Sequence, residues 1–131
     1  MNRKGAARRS EVSAELLAAL NAGTEQTRTL SEMLVMDLAA LLETVAPRAD
    51  AARLRMAAGD GITKRMDLAG RLIRPWWRDF IGHPSDTVRG WVAYAIAAED
   101  DITLAERLDL TRPLADDAHF GVREWAWLAL R

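Results

Sequence analysis

The stretch Val88-Arg89-Gly90-Trp91 returns 34 residues later as Val122-Arg123-Glu124-Trp125. Carried on, the alignment pairs Ala95 with Ala129 and Ile96 with Leu130. A period between about 20 and 50 residues marks stacked helical units, none of which can bury its apolar face alone. Positions 88, 92, 95 and 96, like 122, 126, 129 and 130, fall on one stripe at helical spacing. The repeat therefore restricts the chain to an all-α solenoid of helix pairs on a shared apolar spine, with about six to seven helices.

The punctuation elsewhere agrees with helices. Val12, Leu16, Leu17 and Leu20 give a first helix over 11–20, ending before Gly23. Thr29-Leu-Ser-Glu32 has capping-box spacing, and a second helix from there reads without interruption to Val45, stopped by Pro47. A shorter helix spans 48–58, with Gly59 and Gly61 as its end and "GDG" as a turn. Asp60 is the expected cap of the next, which Pro75 should kink or divide. Ser85 or Asp86 caps the helix with the first Val-Arg-x-Trp. Thr103 and Glu106 form a second capping box on a helix through about 111, which Pro113 ends or bends. Asp116 or Asp117 is the expected cap of the last helix. No stretch alternates with period two long enough for a strand.

Composition narrows the chemistry. The 131 residues suit one domain, residues 10–131, preceded by a basic arm over residues 1–9 that is expected to be flexible. The absence of cysteine excludes disulfides, thiolate metal sites and a cysteine nucleophile. His83 and His119 each precede a helix, where capping or a loop bond is the usual role, and no carboxylate-histidine spacing makes a metal site. Nucleophile-elbow, phosphate-loop and zincin patterns are missing. No apolar run approaches the roughly 20 residues of a membrane span, and no secretory h-region follows the basic start, so a cytoplasmic protein without membrane contact is expected. The net charge of −1 argues against coating nucleic acid by bulk charge, but Lys64, Arg65 and Arg89 lie in a basic stretch and Glu99 to Asp117 in an acidic one.

The two copies differ where it matters for function. Gly90 becomes Glu124 and Ala93 becomes Trp127. Trp125 and Trp127 point some 200° apart at about 100° per residue, so one of them must leave the core and face another unit, a partner or a ligand. Arg89 is expected to bond Asp86, and Arg123 to bond Asp116 or Asp117, as acidic groups between units. Phosphate contact is the alternative role for both. Glu124 reads either as a surface acid paired with Arg123, Arg131 or a neighbouring repeat, or as a catalytic carboxylate.

The pattern Val-Arg-x-x-[Val/Ala]-x-x-Ala-[Ile/Leu] is similar to the second helix of a HEAT-like repeat. With "LNAGTEQTRTL", "TLSEMLVMDLAALLETVAP", "GITKRMDLAGRLI", "HPSDTVRGWVAYAI" and "HFGVREWAWLALR", residues 12–131 resemble the DNA alkylation-repair glycosylases built from HEAT-like repeats (AlkC/AlkD type), and the AlkC-like branch in particular. Members of that family continue with further repeats, including an Arg-Arg-Phe…Arg-Pro-Arg-Gly-Val-Trp segment that this chain lacks, so it reads as the N-terminal portion of such a fold. The resemblance implies a concave basic face for alkylated duplex DNA and hydrolytic excision of cationic methylated purines, with no metal or organic cofactor. It would make Glu124 the carboxylate and Trp125 the aromatic wall, with Trp127 as second candidate for that wall, and Trp127, Lys64, Arg65, Arg89, Arg123 and the basic arm meeting DNA. Whether this chain alone would act as an alkylpurine glycosylase stays open at this point. The rival is a non-enzymatic interaction module, or a homo-oligomer formed through an exposed repeat end.

Overall fold

A computed structural model describes residues 3–131, and Met1 and Asn2 of the expected arm lie outside the described residues. The described chain is all-α, with eight α-helices: α1 (Ala14–Ala22), α2 (Leu30–Val35), α3 (Leu38–Val45), α4 (Ala51–Met56), α5 (Ile62–Ile73), α6 (Asp86–Ala97), α7 (Leu104–Ala115) and α8 (Phe120–Ala129). Two 3-10 segments, Arg9–Glu11 and Arg74–Phe80, complete it. No described helix is long and apolar enough to cross a membrane.

Side chains at the termini explain most boundaries. Ser13, Thr29, Asp37, Ser85, Thr103 and His119 each accept a backbone N–H of the first helical turn, the usual remedy for donors that have no intrahelical partner. Gly23 closes α1 in the left-handed region, φ 78°, which a side chain would make costly. Pro75 divides its helix as expected, converting the chain to 3-10 from Arg74 onward. Pro113 does not stop α7, which runs on to Ala115 because buried Leu114 anchors the last turn.

Four expectations about helix extents and caps need correction. The single helix expected over 30–45 is two, broken at Met36, whose ψ of 147° is extended. Asp37 starts α3 by accepting from Ala40 N (3.0 Å), while its own N–H donates to Asn21 Oδ1 of α1 (2.8 Å). That split raises the count above six or seven. The Thr29 box is half formed: Thr29 Oγ1 caps Glu32 N (3.3 Å), but the Glu32 carboxylate turns away to other donors. Asp60 makes no cap; Gly61 precedes α5 without one. His119, not Asp116 or Asp117, caps α8.

Glu32 organises the arm. It has no solvent exposure, and its carboxylate accepts from the Arg3 guanidinium (2.5 and 2.8 Å), Ala6 N (2.6 Å) and Arg28 N (2.9 Å). Thr29 Oγ1 donates to Ala6 O (2.5 Å). Residues 3–7, expected as free chain, therefore lie along the start of α2. Burial alone would push the Glu32 carboxyl up, yet the Arg3 and backbone bonds outweigh it and hold the carboxyl below its ordinary value.

Helix α6 is the axle of the molecule. Every residue from Asp86 to Ile96 is buried, with α5, α7, α8 and the 74–80 segment packed around it. Close approach on two sides requires small residues. A Cβ on Gly70 of α5 would sit 2.8 Å from Trp91 O and 2.9 Å from Ala95 N, and one on Gly90 would sit 2.9 Å from Trp125 Cδ1. Helix α8 buries one face only, through Val122, Trp125 and Ala126.

The repeat extends beyond the helices into the loops that precede them. Arg89 Nη1 donates to His83 O (2.7 Å) and Arg123 Nη1 to Asp117 O (2.6 Å), both six residues back. His83 Nδ1 accepts from Ser85 N (3.0 Å), and Asp117 Oδ1 accepts from His119 N (2.8 Å). Ser85 and His119 then cap α6 and α8. All these pairs keep the offset of 34, so the two units share backbone form as well as a motif.

Candidate functional site

The first turn of α8 and the 27–33 stretch face each other across a cavity of about 330 Å3. Leu30, Met33, Phe120, Trp125 and Leu128 supply its apolar wall, and Thr63 of α5 reaches its edge. Below lies a closed polar network. Thr27 donates from N (2.8 Å) and Oγ1 (2.6 Å) to the two oxygens of Asp86, which is only 2% exposed. Because His119 Nδ1 accepts from Gly121 N (3.0 Å), the ring proton belongs on Nε2, which donates to Thr27 O (2.7 Å) and lies 3.4 Å from Asp86 Oδ2. Both ring nitrogens are thus engaged, and His119 has no free edge with which to move a proton. Its face is stacked on Phe120, with centroids 5.8 Å apart and an interplanar angle of 9°.

Glu124 is exposed, lines this cavity and has no hydrogen-bond or ion-pair partner among the described residues. The expected pairing with Arg123 or Arg131 is not formed. Next to it Trp125 is 8% exposed, with its ring over Gly90 and tilted against Tyr94 at 6.2 Å, so it serves both as cavity wall and as packing between α6 and α8. Trp127 goes the other way, 64% exposed, on the far side of α8. The separation of the two indoles expected from helical geometry is realised, and it removes Trp127 from the cavity.

The cations fall into two groups. Arg89 is turned inward: its guanidinium is bidentate with Asp117 (2.9 and 3.2 Å) and donates to Gln26 Oε1 and to His83 O, leaving nothing to offer a phosphate. Its acidic partner comes from the next unit, not from Asp86. Arg123 spends one nitrogen on Asp117 O and stays half-buried. Lys64 is exposed on α5 beside the cavity residue Thr63. Arg65 lies elsewhere, in a separate recess with Asp37 and Arg55.

Sequence reading missed Arg28, Leu30 and Phe120, which line the cavity. Arg28 is exposed at the mouth, while its backbone N–H is tied to Glu32. No local signal marks these residues, because the cavity joins segments about ninety positions apart in the chain. No cluster of three or more histidine and acidic side chains converges to hold a metal among the described residues.

Comparison with known protein families, with curated proteins and with solved structures gives no match to this chain.

Proposed function

We propose that this chain is a cytoplasmic, DNA-binding domain of stacked HEAT-like helical repeats, of the alkylation-repair glycosylase type, and that the α8 cavity receives a base drawn out of the duplex. The observation that carries the reading is Glu124: an unpaired carboxylate at an apolar, aromatic-walled cavity, at the position where the repeat alone would accept the glycine of its first copy. An alkylated purine is cationic and already a good leaving group. The protein then need only favour positive charge developing on the sugar, which a carboxylate at the cavity does once a bound base displaces the water around it. The indole and phenyl faces add cation–π attraction of about 1–2 kcal/mol when desolvated. Arg28 lines the cavity and Lys64 is exposed one position from the lining residue Thr63, and both are free to meet phosphates; Arg89 is reassigned to the frame.

Binding to duplex oligonucleotides across a salt series tests the first half. Affinity is expected to fall steeply with salt, by a slope set by the number of phosphates neutralised. Lys64→Ala and Arg28→Ala should each flatten that slope, and Arg89→Ala should alter stability instead. Release of methylated purine from alkylated DNA tests the second half, with Glu124→Gln expected to slow release and spare binding. Salt-insensitive or absent duplex binding overturns the reading, and release unchanged by Glu124→Gln removes Glu124 from the chemistry.

A further inference from the structure

A second groove, about 450 Å3, runs between α7 and the outer face of α8, lined by Leu108, Thr111, Ala126, Trp127 and Leu130. Trp127 is 64% and Leu108 45% exposed, an aromatic and an aliphatic side chain left together in solvent. Thr111 is 3% exposed and lines the same groove, yet its hydroxyl has no hydrogen-bond partner, a state that buried hydroxyls rarely keep. The preceding unit shows what happens to this face. Thirty-four positions before Thr111, Ala126, Trp127 and Leu130 stand Trp77, Val92, Ala93 and Ile96, all four buried, while Arg74, the counterpart of Leu108, is exposed.

We propose that this groove is the contact between two copies of the chain related by a two-fold axis, each seating its Trp127 in the groove of the other. The rim argues for a second copy over a partner of one charge sign. Arg112 in the last turn of α7 and Asp116 just past its end both line the groove, and antiparallel pairing of the α7 ends places Arg112 of one copy against Asp116 of the other, twice. Arg112 is otherwise held only by Asp109 at 3.5 Å, a pair about three-quarters exposed and readily exchanged. This contact is independent of the DNA cavity, which opens on the other side of α8.

Sedimentation velocity of the chain without nucleic acid, from low to several hundred micromolar, reads the proposal directly. A reversible monomer–dimer equilibrium is expected, and Trp127→Asp should weaken it roughly 30-fold or more, as loss of a central tryptophan does. Arg112→Asp and Asp116→Arg should each weaken self-association several-fold by opposing like charges, and mixing these two variants should restore a heterodimer. Recovery on mixing cannot come from a damaged fold. A chain that is monomeric throughout, a dimer indifferent to Trp127→Asp, or no recovery on mixing overturns the proposal; the first would assign the groove to a different protein.

Discussion

Helices α6 and α8 have the same motif, the same cap register and the same arginine-to-carbonyl bond, yet one is buried on every side and the other on a single face. Where their sequences part, their burial parts too. Position 90 needs a glycine because Met66 and Trp125 occupy the space of a side chain, whereas its counterpart Glu124 stands over an open cavity. Ala93 is 1% exposed and its counterpart Trp127 is 64% exposed. The lesson is that a repeated frame leaves certain register positions unconstrained once nothing packs on them, and those positions are where this chain places its carboxylate and its spare indole.

Exchanging residues between the copies is the strongest way to break the comparison. Gly90→Glu or Ala93→Trp should cost about 4 kcal/mol or more by overpacking the axle, and Gly90→Glu also buries a charge. The reverse changes should be mild: Glu124→Gly about 1 kcal/mol through helix propensity, and Trp127→Ala within about 0.5 kcal/mol. Urea denaturation of the four variants decides; equal costs in the two directions would show that the helices are not distinguished by burial.

The arginines sharpen it at smaller scale. Arg89→Ala strands Asp117, whose side chain is 14% exposed, together with Gln26, and should cost about 3 kcal/mol. Arg123→Ala gives up one bond to a carbonyl and should cost about 1 kcal/mol by the same measurement.

Acidity separates the arm from the repeat. The Glu32 carboxyl is held below its ordinary value of 4.5, so its contribution is present above that value and disappears as pH falls through the lower, folded one. Urea midpoints followed into acid should drop, and at neutral pH Glu32→Gln should open the bonds between Arg3 and Arg9 to ready cleavage by trypsin. The smallest effect belongs to His83, which burial and then the nearby Arg89 push below its ordinary 6.5. A lowered imidazole favours the neutral form, so stability should decline slightly as pH falls below 6.5, and His83→Asn should flatten that part of the profile.

Much of the helix inventory was legible because it depends on neighbours in the chain. Thr29, Ser85 and the Thr103–Glu106 box sit immediately beside the helices they start, and Pro75 acts on its own backbone. What escaped depends on distant partners. The apolar run from Leu30 to Val45 has no visible break, and the turn at Met36 is held by Asn21 from another helix. Glu32 has the spacing of a capping box, but Arg3 and Ala6, some 26 to 29 residues away, outbid Thr29 for its oxygens. At the site, Glu124 and the divergence of Trp125 from Trp127 were visible as departures from the repeat. The other wall was not, since Arg28, Leu30 and Phe120 acquire meaning only when α8 comes to rest against the 27–33 stretch.

The clasp between those two segments has its own consequence. His119 Nε2 grips Thr27 O, and the fork of Arg89 spans from Gln26 to Asp117, so both jaws of the cavity are riveted to one another through the floor. A guest cannot pry them apart without breaking buried bonds. Under the proposed function, the width of the opening would be set before a base arrives, and bases too wide for it would be refused.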